Sequence, residues 1–544
     1  MLDSVLEYKG FWDDRRTVLW FWDGHFPLRY QRKVSKKELR ESSFAFASSL
    51  IKKFGVGRGE PVAVILPNVP EFIFAYFGIW LAGAMAAPIN PKLSKNEFTA
   101  MIKNAGIKRV VVLDKIYPEI ADTETLKNII IVRMSEVFPA AKGFAYVRKA
   151  LKENVFVGIP ENDKRTFDFR KLLKNGKKNP SLYFPDIKPE SNALMLFTSG
   201  TTGLPKGVVH THKSLAENAT MCKNLLSEIL ECRDFKGEVF LAAAPYFHIM
   251  GLSTMLHLPL LAGSKIVLSF PFPGEDFGSK LLKAISYAKV SIFVGAPRFY
   301  EMMVQSYKKR NFSSLKICIS GSVEMPKGLR KNFRKIFGKN ILEGYGMSES
   351  GITHCQKKDF DSNGSVGVPL PGVEHKILEP DSEGRGEVLV RSSGLMRGYL
   401  TEGTIQNKES FEIFVDSDGW LHTADLGYIN LGELFLTGRK RYIIKTKHGE
   451  NIYPSDIEQV ICSNKLVAEV AVVGRKAKDD YEEIIAFVVL KNEFAEGYSH
   501  GELEADLKEF CRFRLSSFKV PHKIYFLREL PKNIFGKVLR NKFK

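Results

Sequence analysis

Leu194-Met-Leu-Phe-Thr-Ser-Gly-Thr-Thr-Gly-Leu-Pro-Lys-Gly-Val-Val209 is the stretch from which the chain is read most directly. Two apolar segments that read as short buried strands flank a donor-rich loop, Thr198 to Gly207. Gly200, Gly203 and Gly207 let the backbone approach a ligand closely, Thr198, Ser199, Thr201 and Thr202 add hydroxyls, and Lys206 adds a cation. That is chemistry for a polyphosphate. A Walker loop is the first alternative, because Gly200 and Lys206 stand at its spacing. It fails twice: its second glycine is Pro205, which has no amide hydrogen, and its magnesium-holding hydroxyl is replaced by Gly207. A polar loop with no ligand is the plainer alternative.

Upstream, from about Ser35 to Val112, helix-like and strand-like segments alternate, as in a parallel sheet covered on both faces. The uncharged run Phe72 to Ile89 is long enough to span a bilayer. Gly78, Gly83 and Pro88 interrupt it, however, and it follows the strand-like Val62-Ala-Val-Ile-Leu66 and the turn Pro67-Asn68. A buried helix running into another strand is expected.

The chain of 544 residues is too long for one core, and the length suggests roughly two to four domains. A 44% hydrophobic and 26% charged composition is ordinary for a globular protein. The formal charge of +19 suits polyanionic small molecules, an anionic membrane or nucleic acid. No zinc-finger or RNA-recognition signature accompanies it, so no nucleic-acid partner is expected. Six cysteines stand without C-x-x-C pairs, which suggests neither a disulfide frame nor a zinc site and fits a reducing, cytoplasmic setting. The apolar patch Val18 to Trp22 is too short for a signal peptide core. Between about Ser135 and Pro180 the rhythm breaks. Phe138 to Lys152 mixes aromatic and basic residues and Lys174 to Lys178 adds lysines. This reads either as an amphipathic element for an anionic bilayer, giving peripheral membrane contact, or as a solvated excursion.

Downstream, four segments end in turns rich in small or polar residues, where ligands of an open α/β sheet sit. Phe240-Leu-Ala-Ala-Ala-Pro-Tyr-Phe-His-Ile-Met-Gly251 exposes Phe247 and His248; Ile317-Cys-Ile-Ser-Gly-Ser-Val323 ends on Gly321, Ser322 and Val323. Leu342-Glu-Gly-Tyr-Gly-Met-Ser-Glu349 offers a flat ring for a purine at Tyr345 and oxygen ligands for Mg²⁺ at Ser348 and Glu349. Asp418-Gly-Trp-Leu-His-Thr-Ala-Asp-Leu-Gly-Tyr428 places Asp425 before a hairpin. After the basic connector Thr437-Gly-Arg-Lys-Arg-Tyr-Ile-Ile-Lys445, about a hundred residues carry their own strands and a helix, enough for a small domain.

The loop Thr198 to Gly207 resembles the phosphate-binding loop of the adenylate-forming superfamily, which includes acyl-CoA synthetases, luciferases and peptide-synthetase adenylation domains. The likeness extends over about residues 35 to 540, with the motifs in family order. It is closest to medium- and long-chain fatty acid ligases, and the insertion after Ser135 resembles theirs. The resemblance implies an α/β fold with a large N-terminal region of several subdomains and parallel sheets, residues 1–437. A small mobile α+β domain, residues 438–544, would follow. It implies a nucleotide site of Thr198, Ser199, Gly200, Thr201, Thr202, Gly203, Lys206, Gly321, Ser322, Val323, Glu343, Gly344, Tyr345, Gly346, Met347 and Ser348, with Asp425 and Arg439 on the ribose. Glu349 would hold Mg²⁺, His248 would lie beside the acyl carboxylate, Arg441 would be the hinge and Gly449 would face CoA. Lys537, in Leu530-Pro-Lys-Asn-Ile-Phe-Gly-Lys537, corresponds to the family's catalytic lysine.

The resemblance further implies ATP, Mg²⁺ and CoA as cofactors and a small carboxylic acid as substrate. No aspartate stands in Tyr246 to Gly251, against an amino-acid substrate, and acetate-activating relatives carry a tryptophan at Gly346, whose absence lengthens the acyl pocket. One departure is Tyr442, where an acidic residue usually follows the hinge. The expected activity is AMP-forming ligation of a medium- or long-chain fatty acid to CoA. An aryl-CoA ligase of the coumarate type and a catalytically silent nucleotide-binding or membrane-associated protein are the alternatives. Oligomeric state is left open.

Overall fold

The apolar runs between residues 61 and 113 form the strands Pro61–Ile65, Met85–Pro88 and Arg109–Leu113, hydrogen-bonded in parallel. Between the first two lies the helix Pro70–Leu81, all of whose residues are buried. Pro70 begins it, where a missing amide hydrogen costs nothing. Trp80 donates its Nε1–H to the carbonyl of Ala193 at 2.6 Å, so the indole's one polar atom is satisfied inside the core. Each such buried aromatic contributes about 2–3 kcal/mol through burial alone. The uncharged run is therefore a core helix followed by a strand, and among the described residues no helix is long and apolar enough to cross a membrane.

The structure is a computed structural model and describes residues 17–22, 32–138, 147–150, 152–153, 155, 158–178, 184–198, 206–269, 276–357, 364–401, 404–406, 411–445, 451–476, 482–491, 499–533 and 536–543. Among these, one nine-stranded sheet runs from Thr404–Gln406 through Lys206–Thr211, Asn192–Thr198, Met85–Pro88 and Pro61–Ile65 to Thr166–Asp168. A second nine-stranded sheet carries Ile341–Met347, Ile317–Ser320, Ile292–Gly295 and Val239–Ala242 as parallel neighbours. One continuous apolar cluster underlies both. Asn68 stitches them together: its Nδ2 donates to the carbonyls of Ala242 and Ala244 at 3.3 and 2.8 Å, and its Oδ1 accepts from the amide of Tyr246 at 3.0 Å.

An antiparallel five-stranded sheet follows, built on Gly386–Arg391, Leu421–Asn430 and Glu433–Arg439. The last element is a smaller sheet of Val467–Lys476, Glu482–Leu490 and Lys523–Phe526, covered by the helices Pro454–Cys462 and His500–Arg512. It has its own apolar cluster around Ile457, Val472, Ile484 and Leu507. Ser499 and Glu502 form a capping box at the start of the second helix. The fold is thus mixed α/β with large sheets containing parallel strands and a smaller C-terminal sheet domain.

The segment after Ser135 is partly outside the described residues. Its last part, the helix Phe169–Lys178, packs one face on the core and leaves Lys171, Lys174, Lys177 and Lys178 in solvent, as a solvated excursion would. Phe169, Leu172 and Gly176 share one buried face against the helix Lys36–Lys52, the rings of Phe46 and Phe169 lie 4.9 Å apart, and a Cβ on Gly176 would strike the Ala45 carbonyl. The amphipathic pattern there is explained by core packing.

Candidate active site

The strands Asn192–Thr198 and Lys206–Thr211 pair as an antiparallel hairpin whose mouth sets Thr198 opposite Lys206. Ser199, Gly200, Thr201, Thr202 and Gly203 lie outside the described residues. The hairpin mouth opens into a cleft with a cavity volume of about 370 Å³, lined also by Gly321, Ser322, Gly344 to Glu349, Arg439, Arg441 and Lys537. Residues far apart in sequence, from three sheets and the C-terminal domain, thus meet in one space.

At the polar end Glu349 is buried, and its Oε1 accepts from the Tyr399 hydroxyl at 2.8 Å. Burial raises its carboxyl pKa, with the Tyr399 bond acting in the opposite direction. A buried carboxylate facing a nucleotide cleft, with phosphates to complete the shell, suits Mg²⁺, which takes one or two protein carboxylates. Lys206 points its Nζ over the rings of Phe411 and Tyr399 at 4.7 and 5.4 Å. Tyr345 donates its hydroxyl to Asp425 Oδ2 at 2.7 Å, and Arg439 Nε lies 2.6 Å from Asp425 Oδ1. Tyr345, Asp425 and Arg439 are therefore one assembly. Ser322 takes φ +80, a left-handed conformation that a serine rarely holds, at the turn lining the cleft.

Lys537 stands on the turn Asn533 to Lys537, whose ends exchange backbone bonds at 2.9 Å and 3.0 Å, the latter to the Asn533 side chain; Gly536 within it takes φ +87. The lysine lines the cleft but is itself exposed, so protein surrounds its ammonium without sealing it from water. Burial first, and then the Arg439 and Arg441 charges, push its pKa down to about 8, against the opposing pull of Asp425 and Glu349. The cation is complete below that pH and is lost above it. Any rate that depends on this cation should fall about tenfold per pH unit above about 8. A pH profile of ATP–pyrophosphate exchange checks this, and Lys537→Arg, which stays charged, should lack the limb.

Toward the other end the lining turns apolar: Leu225 and Leu226 from the helix His212–Leu230, Ile249, Met250 and Leu258 beside the π-helical turn Ser253–His257, and Leu370. His248 lines the same cleft. Burial pushes its imidazole down to about 4, so it is neutral at pH 7. Cys222 and Cys355 also line this end, and burial pushes both thiols up to about 12, so they act as small apolar groups.

Three expected nucleotide residues do not line the cleft. Val323 is outside its lining, Glu343 spends its carboxylate on the Arg330 guanidinium and the amide of Met325, and the Asp425 carboxylate is taken up by Tyr345 and Arg439. Gly449 lies outside the described residues. Gly346 does line the cleft, but a Cβ there would strike the Gly351 carbonyl and stand 2.9 Å from Ile352 Cα, so the strand pairing itself demands glycine. Its presence is no measure of acyl length. Arg441 faces Glu412 across 4.0 Å and reaches the Tyr442 hydroxyl at 3.0 Å, so the unusual tyrosine holds the arginine. Reading the sequence missed Tyr399, Glu412 and His210. The last, buried at the foot of the hairpin, bonds the Ser348 carbonyl through Nε2 at 2.7 Å. Nothing local marks these residues, because their partners Glu349, Arg441 and Ser348 stand far along the chain, the last 138 positions away.

Residues 14–400 match the profile of the AMP-binding enzyme family, and residues 456–537 that of the AMP-binding enzyme C-terminal domain. A long-chain-fatty-acid–CoA ligase of Bacillus subtilis (strain 168) is 30% identical, over 94% of this chain and 90% of its own length. The 4-coumarate–CoA ligase 3 of Arabidopsis thaliana is 27% identical, over 91% and 84%. Among solved structures, the ATP-bound RpMatB-BxBclM chimera B1 superposes with a TM-score of 0.77 at 25% identity, covering 100% of this chain and 97% of that one.

Proposed function

Since the chain belongs to the AMP-binding enzyme family, we propose that it is an AMP-forming acid–CoA ligase that uses ATP, Mg²⁺ and CoA, and that its acid is a medium- or long-chain fatty acid. The observation that carries this reading is one cleft lined both by Lys537, Lys206, Glu349 and Arg439 and by the uncharged aliphatic side chains of Leu225, Leu226, Ile249, Met250 and Leu258. Aliphatic Leu225, Leu226, Met250 and Leu258 at the apolar end favour a flexible alkyl chain over a ring.

A carboxylate and a triphosphate repel each other, so the chain must supply positive charge where they meet. Lys537 bridges the attacking carboxylate and the α-phosphate, Lys206 takes charge on the departing pyrophosphate, and neutral His248 lies by the acid without adding a charge. Tyr345 carries the adenine on its face, while Asp425 and Arg439 fix the ribose. Glu349 and the nucleotide phosphates would hold Mg²⁺, which when bound spreads the leaving-group charge. The second step follows when the domain of residues 438–544 turns at Arg441, withdraws Lys537 and brings the Gly449 loop to a CoA channel.

A thioester assay across straight-chain acids from acetate to stearate, with benzoate and coumarate alongside, tests the proposal. Each methylene buried in the apolar end is worth about 0.8 kcal/mol, so kcat/KM should rise about fourfold per carbon until the cavity is full. Preference for the aryl acids would move the assignment to an aryl-CoA ligase. ATP binding without acid-dependent turnover would mark a silent relative.

A further inference from the structure

Given the two half-reactions proposed above, we infer that Glu387 is a positioning residue that ties the ribose carboxylate to the hinge and holds the small domain in its adenylating orientation. Glu387 stands on the strand Gly386–Arg391 and is 5% exposed. Opposite it the strand Leu421–Asn430 bulges: Leu389 pairs with His422 and Glu387 with Leu426, so Thr423, Ala424 and Asp425 face one residue, Val388. Thr423 turns its hydroxyl to the Val388 carbonyl at 2.7 Å and accepts the Asp425 amide at 3.1 Å. Ala424 is left at φ +56 with no strand carbonyl for its amide, and that amide donates to Glu387 Oε1 at 3.1 Å. The bulge thus aims Asp425 at Tyr345 and Arg439, and the Glu387 carboxylate closes it.

The second oxygen of the same carboxylate faces the hinge. Lys440 Nζ lies 3.0 Å from Glu387 Oε2, in the short turn Lys440–Tyr442 between Arg439, which is bound to Asp425, and Arg441, which lines the cleft. Rotation about Arg441 that withdraws Lys537 opens this turn, which the Ile443 amide closes on the Lys440 carbonyl at 3.2 Å. The buried carboxylate anchors the Lys440 end and so favours the orientation in which the turn is intact. One side chain therefore sets both where Asp425 points and how strongly the first orientation is preferred. A population bias of this kind acts on one half-reaction and spares the other.

The test uses the full chain and reads the two half-reactions separately, with ATP–pyrophosphate exchange for the first and thioester formation from supplied acyl adenylate for the second. Lys440→Met, which leaves the bulge and its carboxylate in place, should slow exchange about tenfold and leave thioester formation at or above the parent rate. Lys440→Arg should restore exchange. Glu387→Gln, whose amide oxygen still accepts from Ala424, should match Lys440→Met, and the double variant should be no slower than Glu387→Gln, because that change already removes the Lys440 ion pair along with the longer 3.6 Å approach of His422 Nδ1 to the same oxygen. Equal slowing of both halves, no slowing of either, or additive losses would overturn the inference. Absence of exchange in the parent would instead overturn the proposed function, and a fall in the melting temperature without a split between halves would assign Glu387 a purely structural duty.

Discussion

Lys537→Ala is expected to lower ATP–pyrophosphate exchange at least a hundredfold, about 3 kcal/mol, while thioester formation from supplied acyl adenylate stays within about threefold of the parent. The expectation comes from where the charge is needed. In the first half-reaction two anions approach, and Lys537 brings an ammonium from the C-terminal domain into the cleft that also holds Lys206, Arg439 and Glu349. In the second, the CoA thiol displaces AMP from the acyl adenylate after the proposed rotation has withdrawn Lys537 from the cleft, so AMP leaves without this cation beside it. Because the Lys537 turn is closed by its own backbone bonds and by Asn533, truncating the side chain should leave the turn in place. Melting temperature measured alongside checks that. Loss of both half-reactions to the same degree would mean that Lys537 supports the cleft as a whole and not the first step.

The fold was legible where local pattern and global packing agree. The run Phe72 to Ile89 carries no charge, and glycine and proline punctuate it as a helix and a strand; the structure spends those residues on one buried helix and one strand. The loop after Thr198 was legible because glycine, hydroxyls and lysine crowd into ten residues, a density that needs no knowledge of what lies opposite. The register of the hairpin confirms only its mouth, Thr198 beside Lys206.

Other features were illegible for a common reason. Tyr399 is an ordinary strand residue until Glu349, 50 positions away, accepts its hydroxyl. Asn68 reads as a turn residue, yet its amide joins two sheets across more than a hundred and seventy positions. Glu343 sits in the same motif as Tyr345 and, by alternation, on the same strand face, yet Arg330 and the Met325 amide take its carboxylate away from the cleft. Gly346 invited a reading about pocket length, whereas the close strand pairing at Gly351 already requires it. Motif membership assigns a residue to a strand; what its side chain serves there depends on neighbours the local sequence does not contain.

That dependence on neighbours gives the second large effect, at Asp425. Its carboxylate accepts from Tyr345 and Arg439 and is one of two anions that support the charge on Lys537. Asp425→Ala should cost about 3 kcal/mol in kcat/KM for ATP, roughly a hundredfold, because it leaves a half-buried guanidinium unpaired and removes the carboxylate proposed to accept from the ribose. It should also do something a lost ribose contact alone would not. With Asp425 gone, Arg439 and Arg441 still disfavour the Lys537 ammonium, and only Glu349 is left to favour it, so the lysine's pKa falls further below about 8. The sign follows directly: the protonated lysine is the active form, so a lower pKa moves the alkaline limb of exchange toward acid, and the deficit of the variant should widen from pH 7 to pH 8. Tyr345→Phe, which removes a hydroxyl but no charge, should cost about 1 kcal/mol and leave the limb where it is. An Asp425→Ala profile parallel to the parent across that range would separate the ribose contact from the charge balance and refute the coupling.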